Sequence, residues 1–428
     1  MKASESGSWL SVLRNAFVLE GAGQSGIMSV VFIPGDFMSR VLFIASKPFF
    51  PWRSSCIRMG HDLLTLGQLG YEVDFLTVPV GEHHPIPGVR IVKVPNLFFS
   101  RTLPEGPSLR KFGFNVLLLV TAIVMGLRNR YAVVHGLDDA GVPAWVAGRL
   151  GRAAVVFEKH DDPGNLHRYS AWKRMLGRCY DVVERFVMRR ADAAIGAGPD
   201  LVPAMQAMGR GSRACRIPDI PSALDTPPPE HVAECRRRLV QHEDDILVAY
   251  VGSFATFQGL DLLFAAIPRV RAAESRVRFV IVGGTTSEIC RQQRALARLG
   301  LVDTVAFLGR VTPMELASVL AASDILVAPR LSGEHAPMKV LDYLKSGTAI
   351  VATDCPANRD VLTSEIAVLV PAEPQAFSEG ILALSRDPAR RHELGRRGRE
   401  FIKNAHSFEV FQDSLRRCYD YLAATRGK

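Results

Sequence analysis

The stretch SDILVAPRLSGEHAPMKVLDYLKSGTAIVATD, Ser323–Asp354, decides the fold of this chain. An apolar run, Ile325–Ala328, has the length of a buried strand, and a polar loop separates it from a periodic segment that predicts a helix over Met338–Lys345. Gly347 ends that helix, and a second apolar run follows at Ala349–Ala352. Strand, helix and strand in this order predict a βαβ unit with parallel strands.

Five polar residues stand where the first strand of this unit gives way to the helix. Ligands of open parallel sheets bind beyond the carboxyl ends of the strands, so these side chains are candidate ligand contacts. Glu334 and Asp342 lie eight residues apart, and a loop acid and a helix acid at this spacing can face one pocket. Spacing alone leaves open the alternative of two solvated surface charges. The five candidates are Arg330, Glu334, His335, Lys339 and Asp342.

The pattern E-HAPMKVL-D, followed by SGTAIVATD, resembles the nucleotide-sugar signature of family 4 retaining glycosyltransferases. In that family an acid, seven residues and a glutamate precede an apolar helix, a glycine and a strand. The resemblance implies that Glu334 contacts the donor sugar and is catalytic. It also implies that Asp342, one methylene shorter than the family's glutamate, binds the ribose hydroxyls of a nucleotide diphosphate sugar.

Glycine turns follow two further predicted strands, in DILVAYVGSFATFQGL and in VRFVIVGG. The family has an arginine after the first glycine and a lysine before the next, where both hold the donor's pyrophosphate. Here these places are Ser253 and Gln258, so backbone amides at a helix N-terminus, with Lys339 and Arg330, are expected to replace the missing charge. The segment VAFLGRV runs beside the base in family members. The predicted donor-binding residues are Gly252, Ser253, Gln258, Gly259, Gly283, Arg310, Arg330, His335, Lys339 and Asp342.

The N-terminal half carries candidates in the loops after two predicted strands. Trp52 and Arg53 replace the family's glycine pair in the first loop, and an aromatic beside an arginine suits a sugar or phosphate of the acceptor. An arginine in water beside a packed tryptophan is the alternative. After the strand AVVFE, the family commonly has a histidine, often followed by an acid, that faces the donor. This implies that His160 is catalytic and Asp161 lies on the acceptor side; a solvent-exposed histidine is the alternative.

Proline spacing and length divide the chain into domains. A chain of 428 residues exceeds one ordinary core, and the prolines between residues 218 and 229 predict a helix-free linker. Residues 1–39 show no sustained period and predict a weakly ordered extension, with Met28 or Met38 as an alternative start. We expect Rossmann-like domains at 40–219 and 220–405, with a C-terminal helix over 406–428 that packs back on the N-terminal domain. With the resemblance, the predicted fold class is α/β, GT-B: two Rossmann-like domains facing an interdomain cleft.

Positive charge is concentrated in the N-terminal half. Residues 40–220 hold 24 Lys and Arg against 15 Asp and Glu, whereas residues 221–428 hold 26 against 25. The apolar run Phe112–Leu127 would span about 24 Å as a helix, less than the roughly 30 Å of a bilayer core. We interpret it as a core helix, with a membrane-dipping helix and a true span as alternatives. A basic helix near residues 168–190 suits an anionic membrane surface, although a solvated face is the alternative.

The resemblance to family 4 enzymes implies a retaining glycosyltransferase of the hexosyl type that uses a nucleotide-sugar donor. The expected acceptor is a lipid-linked or other saccharide in polysaccharide or glycolipid synthesis. Scattered cysteines indicate reduced thiols, so we expect a cytoplasmic protein, peripheral at the inner face of the plasma membrane.

Three further expectations concern cofactors, partners and competing functions. One histidine beside two adjacent acids is poor metal-site spacing, so no metal and no cofactor are expected. No recognition motif predicts a nucleic-acid partner. The alternatives to a transferase are a nucleotide-sugar epimerase or hydrolase of the same fold, which would consume donor without acceptor, and a non-catalytic sugar-nucleotide-binding subunit, which would bind donor without turnover.

Overall fold

A computed structural model of the chain describes residues 40–49, 54–81, 85–101, 103, 108–160, 171–197, 203, 206, 213–222, 226–333 and 337–426. Side chains are described for these residues except 54, 109, 171–177, 179, 180, 213 and 426. The predicted extension 1–39 and five candidate site residues therefore lie outside the described residues. The five are Trp52, Arg53, Asp161, Glu334 and His335.

Two compact units make up the described chain. The C-terminal unit is Ile220–Phe408. The N-terminal unit comprises the described residues up to Asp219 together with the segment that begins at Glu409. The last helix of the sequence thus belongs to the N-terminal unit.

A parallel sheet of seven strands forms the centre of the N-terminal unit, in the order β3-β2-β1-β4-β5-β6-β7. Most of these strands are continuous apolar runs because helices cover both faces of a parallel sheet. The order reverses between β1 and β4, which pair in register from Val41 with Val133. The strands are β1 Arg40–Ala45, β2 Glu72–Thr77, β3 Val89–Lys93, β4 Val133–Leu137, β5 Ala154–Lys159, β6 Ala193–Gly196 and β7 Arg213–Arg216.

Within the described ranges, the helices with defined bounds that connect the strands of this sheet are α1 Ser54–Gln68, α2 Leu109–Arg128, α3 Gly141–Leu150 and α4 Ala171–Arg190. The last three lie side by side in one layer. A Cβ on Gly126 of α2 would come within 2.9 Å of the Ala147 carbonyl oxygen, so a glycine is what allows α2 to approach α3 this closely. Trp145 of α3 packs edge to face against Phe186 of α4, with ring centroids 5.0 Å apart.

The helix predicted over Phe112–Leu127 is longer than expected and only partly a core helix. It begins at Leu109, where the Ser108 side chain accepts a hydrogen bond from the Lys111 amide, and ends at Arg128. Phe114, Leu118 and Ala122 are buried, whereas the opposite face is exposed. Among the described helices, only this one is long and apolar enough, over Arg110–Arg128, to cross a membrane. Of that stretch, 28% is buried.

The C-terminal unit is built on a six-stranded parallel sheet in the order β10-β9-β8-β11-β12-β13. Its order reverses between β8 and β11. The predicted βαβ unit is present: β11 and β12 pair in parallel, with Ile325 opposite Ala349. The strands are β8 Ile246–Val251, β9 Val277–Val282, β10 Val305–Gly309, β11 Ile325–Ala328, β12 Ala349–Thr353 and β13 Val368–Val370.

Helices pack on both faces of this second sheet, and two of them begin at capping boxes. The Thr285 hydroxyl accepts from the Glu288 amide while the Glu288 carboxylate accepts from the Thr285 amide, and Thr312 and Glu315 repeat this arrangement. The helices are α5 Pro229–Leu239, α6 Leu260–Ala273, α7 Thr286–Arg298, α8 Pro313–Ala322, α9 Met338–Ser346, α10 Pro356–Arg359, α11 Pro374–Ser385 and α12 Pro388–Ala405.

The final helix, α13 Phe408–Arg426, packs into the N-terminal unit. Phe411 is fully buried, and the Arg58 guanidinium lies 4.6 Å from its ring centroid. The Tyr419 hydroxyl lies 2.9 Å from His135 Nδ1 on β4. These contacts join the end of the chain to strands formed near its beginning.

Candidate active site

The reversal of strand order between β8 and β11 defines the ligand side of the C-terminal unit. Loops that leave two neighbouring strands in opposite directions open a crevice at their carboxyl ends. Gly252 begins the loop after β8, and Arg330 lies in the loop after β11. The two loops touch, because the Leu331 amide donates to the Phe257 carbonyl at 2.9 Å. The structure thus brings predicted donor-binding residues from both loops to one edge of the sheet.

Two glycines bring the backbone close to its neighbours at this edge. Gly252 has a φ of +152°, and a Cβ there would lie 2.8 Å from the Tyr250 hydroxyl and 3.1 Å from Lys339 Nζ. Gly283, after β9, has a φ of +110°, and a Cβ there would collide with the Gly252 carbonyl oxygen. Glycine is therefore required at both positions by conformation and by space.

Lys339 is held at the same edge from the first turn of α9. Its Nζ donates to Gln258 Oε1 at 2.7 Å and lies 4.4 Å from the ring centroid of Tyr250. Burial, and then the charge of Arg330, lower the pKa of Lys339 to about 7. Within the described part of the chain no carboxylate is paired with this ammonium group. A cation without a resident counter-ion is suited to an incoming anion.

Arg330 is the second cation of this edge. The guanidinium lies 5.2 Å from the Phe257 ring centroid, and its Nε donates to the Ser332 carbonyl at 2.8 Å. Burial lowers the pKa of Arg330 as well. Two partly buried cations therefore stand on one side of the crevice.

Gly259 joins the loop after β8 to α6. It has a φ of +71° and precedes Leu260 without a side-chain cap, so amides of the first turn of α6 remain for other acceptors. A Cβ at Gly259 would collide with the Pro329 carbonyl oxygen, which fixes the two loops against each other. Ser253 is exposed, and its carbonyl accepts from the Tyr250 hydroxyl at 2.8 Å.

Asp342, predicted to bind ribose, is engaged with the linker. Its Oδ1 accepts from the Ser222 amide and its Oδ2 from the Ser222 hydroxyl, each at 2.6 Å. The Asp342 carboxylate is thus positioned by 2 hydrogen bonds from one serine that lies 120 residues away in sequence. The next residue, Tyr343, is buried, and its hydroxyl accepts a hydrogen bond from the Val251 amide at 2.8 Å, which joins α9 to β8.

Arg310, a predicted donor-binding residue, does not lie beside Lys339, Gln258 and Tyr250. It is exposed after β10, the edge strand, and β9 separates β10 from β8. Glu334 and His335, the central acid and histidine of the motif, lie outside the described residues, as do Trp52, Arg53 and Asp161.

His160, the catalytic candidate of the N-terminal unit, is nearly buried, with 8% of its side chain exposed. Its Nε2 lies 2.7 Å from Glu158 Oε1, and its backbone amide donates to Asp138 Oδ1 at 2.8 Å. The alternative of a solvent-exposed histidine is therefore wrong. Asp138, just after β4, is paired with Lys47 at 2.6 Å, so His160 lies at the strand-order reversal of the first sheet.

Asp62, Glu158 and His160 each place one potential ligand atom within 4.8 Å of the others. A guanidinium is already there, because Arg58 lies 3.0 Å from Glu158 and 3.8 Å from Asp62. Burial, and then repulsion from Glu158, raise the pKa of Asp62 well above its ordinary value and favour its neutral form. A neutral acid and a resident cation make this cluster an ion-pair network and a poor site for a metal ion.

Sequence reasoning missed two residues of these sites. Tyr250 lies in an apolar strand and was indistinguishable from a core residue, yet its ring faces Lys339. Glu158 ends the predicted strand AVVFE and was not predicted to have a role in the site. A charged residue in the run AVVFE was a usable signal, since a buried acid needs partners.

Two Rossmann-like α/β domains in one chain define the GT-B class of fold. A sucrose-phosphate synthase from Thermosynechococcus elongatus has this fold with a TM-score of 0.75 at 19% identity, covering 90% of this chain and 100% of that chain. Residues 232–401 match the family model described as glycosyl transferases group 1, and residues 59–219 match the glycosyl transferase 4-like domain. The chain belongs to the glycosyltransferases of this group, family 4 type, which confirms the predicted family and the predicted pair of Rossmann-like domains.

Two mannosyltransferases are similar in sequence to part of this chain. A phosphatidyl-myo-inositol mannosyltransferase of Mycobacterium leprae is 30% identical over 173 residues, which is 40% of this chain and 45% of that protein. A GDP-mannose-dependent monoacylated alpha-(1-6)-phosphatidylinositol monomannoside mannosyltransferase of Corynebacterium glutamicum is 25% identical over 259 residues, 56% of this chain and 62% of that protein. The chain thus spans about half the length of the relatives it matches.

Proposed function

We propose that the protein transfers a sugar from a nucleoside diphosphate sugar to an acceptor, with retention of configuration. The observation that carries this proposal is the position of Lys339, whose ammonium group contacts Gln258 beside the close-packed turns of Gly252 and Gly283. A diphosphate leaving group gains negative charge as its bond to the sugar breaks. Cations and amides fixed at that place stabilise this charge in the transition state.

This sequence lacks the arginine and the lysine that hold the pyrophosphate in the family, and in this proposal Lys339 supplies a positive charge in their place. The residue at the family's lysine position is Gln258, and the Lys339 ammonium reaches the tip of that side chain from a different helix. A positive charge can therefore occupy nearly the same place as in the family, although another residue supplies it. Arg330 adds a second charge on the same side.

The roles of the acids remain those that the resemblance implies. Glu334 is assigned to the donor sugar and acts in catalysis, with His160 as the second catalytic candidate. Asp342 is assigned to the ribose, where it would share its carboxylate with Ser222 or exchange one of these hydrogen bonds for a ribose hydroxyl. The donor is a substrate, and the proposal includes no metal and no separate cofactor.

The acceptor in this proposal is carried on a lipid, and the protein works at an anionic membrane surface. The exposed face of α2 is apolar along its whole length, with Phe112 and Leu127 68% and 62% exposed. Val182, Val183 and Phe186 are exposed apolar residues of α4, which belongs to the same helical layer. Exposed arginines lie on the three helices of this layer, among them Arg128, Arg149, Arg178 and Arg185.

Apolar side chains flanked by arginines suit a helix that lies in the headgroup region of a bilayer. The names of the relatives include phosphatidylinositol acceptors, which agrees with a lipid acceptor. We therefore place the protein on the cytoplasmic face of the plasma membrane, bound peripherally.

A panel of nucleotide sugars tests the proposal, with GDP-mannose included because of the Corynebacterium relative. Thermal stabilisation identifies the donor, since a ligand that binds the folded state raises the unfolding temperature. Transfer is then measured with phosphatidylinositol and other lipid-linked acceptors in vesicles. Glu334→Gln should abolish transfer while donor stabilisation remains.

The other functions predict different results in the same assays. If the donor is consumed at full rate without an acceptor, the protein is a hydrolase or an epimerase and not a transferase. Donor binding without turnover across the acceptor panel would favour a non-catalytic binding subunit.

A further inference from the structure

A buried cluster of ionisable side chains lies beneath His160 in the N-terminal unit. It draws on two helices and two strands that are far apart in sequence, so its members are held from several directions. Its members other than His160 are at most 1% exposed. They are Arg58 and Asp62 of α1, His135 of β4, Glu158 of β5 and Tyr419 of α13.

Glu158 is the centre of this cluster. Its Oε1 lies 3.0 Å from Arg58 Nη2 and 2.7 Å from His160 Nε2. Its Oε2 lies 2.9 Å from His135 Nε2. Burial opposes ionisation of this carboxyl, but His160 and Arg58 outweigh burial and hold its pKa well below the ordinary value. The Arg58 guanidinium, which is always charged, lies 3.0 Å from Glu158 and keeps it ionised even when His160 is neutral, so Glu158 can only accept hydrogen bonds.

An ionised acceptor decides which nitrogen of His160 carries the proton. Because the Glu158 oxygen has no proton to give, His160 Nε2 must be the donor in their 2.7 Å contact. In a neutral ring the lone pair then lies on Nδ1. Among the described residues Nδ1 has no hydrogen-bond partner, although it is buried.

The surrounding residues fix the position of the His160 ring as well as its tautomer. The backbone of His160 is held by Asp138, and Glu158 is held from its other side by His135. The Tyr419 hydroxyl lies 2.9 Å from His135 Nδ1, so His135 is itself held by a contact with α13. The chain of contacts from α13 to His160 leaves Glu158 little freedom to turn away.

We propose that Glu158 is a positioning residue that holds His160 as its Nε2–H tautomer, so that Nδ1 accepts a hydrogen bond from a substrate hydroxyl. The diphosphate of a nucleotide sugar has no proton to offer at neutral pH, so the expected partner of His160 Nδ1 is a hydroxyl of a sugar. The substrate part of this inference rests on the proposed transferase function, whereas the tautomer does not.

The first experiment measures the tautomer without any substrate. The chain is labelled with 15N at its 11 histidines, and the ring nitrogens are followed by long-range 1H–15N correlation at pH 7.5, with His160→Gln used to assign the signal. We expect His160 to show a protonated Nε2 and a bare Nδ1. A ring protonated at Nδ1, alone or together with Nε2, would overturn the proposal.

The second experiment separates the two ring nitrogens by substitution. The Oδ1 atom of asparagine lies where Nδ1 of histidine lies, whereas the amide of glutamine lies near Nε2. His160→Asn keeps an acceptor at the substrate and should retain transfer within about tenfold of wild type, the value of one hydrogen bond. His160→Gln keeps the Glu158 contact but loses that acceptor, and it should lose at least tenfold more. The reverse order would contradict the proposal.

Glu158→Gln tests the positioning role itself. The neutral amide can turn and donate to His160, so the 15N spectrum should show a mixture of tautomers, and kcat should fall by about tenfold with the KM for donor little changed. An unchanged tautomer together with a fallen kcat would show that Glu158 acts in another way. If Glu158→Gln does not fold, the wild-type 15N spectrum and the activities of His160→Asn and His160→Gln still test the proposal. If no nucleotide sugar is turned over, the proposed function fails, and the wild-type spectrum alone decides the tautomer.

Discussion

The ammonium group of Lys339 lies 2.7 Å from the side-chain oxygen of Gln258, although the two residues are 81 positions apart. Lys339 lies in the first turn of the helix after β11, and Gln258 precedes the helix after β8. The order of the sheet reverses between these two strands. A charge lost at one position of a family motif can thus be restored from a neighbouring strand.

Lys339→Ala should weaken donor binding much more than Gln258→Ala. Hydrogen bonds to charged groups contribute about 1.5–3 kcal/mol, so loss of the ammonium should raise the Kd for a nucleoside diphosphate by roughly 10- to 100-fold. Gln258→Ala removes a neutral group that contacts the lysine and should change the Kd by only a few fold. Isothermal titration with the diphosphate measures both, and the opposite order would show that the charge is elsewhere.

Donor affinity should fall as the pH rises through about 7. Burial, and then Arg330, lower the pKa of Lys339 to about 7, so above that pH the free protein must take up a proton before the ammonium can bind a diphosphate. The expected slope approaches tenfold per pH unit. Titrations between pH 6 and pH 9 measure it, and Lys339→Arg, which stays charged, should flatten it. An equal slope in Lys339→Ala would assign the effect to another group.

The same pKa has the opposite effect on stability without ligand. An unfolded lysine keeps its proton up to about pH 10.4, whereas the folded protein releases it near pH 7. The unfolded state therefore binds more protons between these values, and this group makes the free energy of unfolding rise with pH. Denaturant unfolding of wild type and Lys339→Met should show this difference in slope. Parallel curves for the two proteins would contradict the lowered pKa.

Binding to anionic vesicles should depend on the exposed face of α2. Val120 is 54% exposed in the middle of that face, and aspartate there places a charge where the bilayer interior is expected. Val120→Asp should reduce sedimentation with anionic vesicles at low salt by about tenfold. Leu299→Asp is the matched control, since Leu299 is 61% exposed but lies in the C-terminal unit. Equal losses in both variants would remove α2 from the membrane contact.

Phe411→Ala should destabilise the N-terminal unit. The ring is fully buried against Arg58, and a phenylalanine truncated in a core typically costs about 3–5 kcal/mol. Glu409→Ala, at an exposed position of the same helix, should stay within about 0.5 kcal/mol of wild type. Urea unfolding followed by tryptophan fluorescence reports this unit through Trp145, and a loss below 1 kcal/mol would mean that α13 contributes little.

The sequence was sufficient for the strands whose side chains are all buried, because a continuous apolar run between turns has few other interpretations. It did not predict β7, whose residues Arg213–Arg216 alternate charged and small side chains at the sheet edge. It also did not predict α5, in which no residue is fully buried and only partly buried side chains, such as Cys235 and Leu239, pack against the core. Elements that contribute little to the core leave little pattern in the sequence.

The site was predictable where a residue's role follows from its neighbours in sequence. The glycine turns and Lys339 were found in this way. The Asp342 contact with Ser222 and the Glu158 contact with Arg58 join residues 120 and 100 positions apart, and no local pattern encodes such pairs. The roles of Glu334 and His335 stay predictions.

The membership of α13 in the N-terminal unit affects how the protein is made. Phe411 and Tyr419 complete a core whose strands end by Arg216, yet the ribosome must first synthesise the whole C-terminal unit, Ile220–Phe408. At about 5–20 residues per second, these residues take roughly 10–40 s. During that time the N-terminal sheet is exposed to chaperones and proteases without its last helix, so the domain that is translated first is the last to be finished.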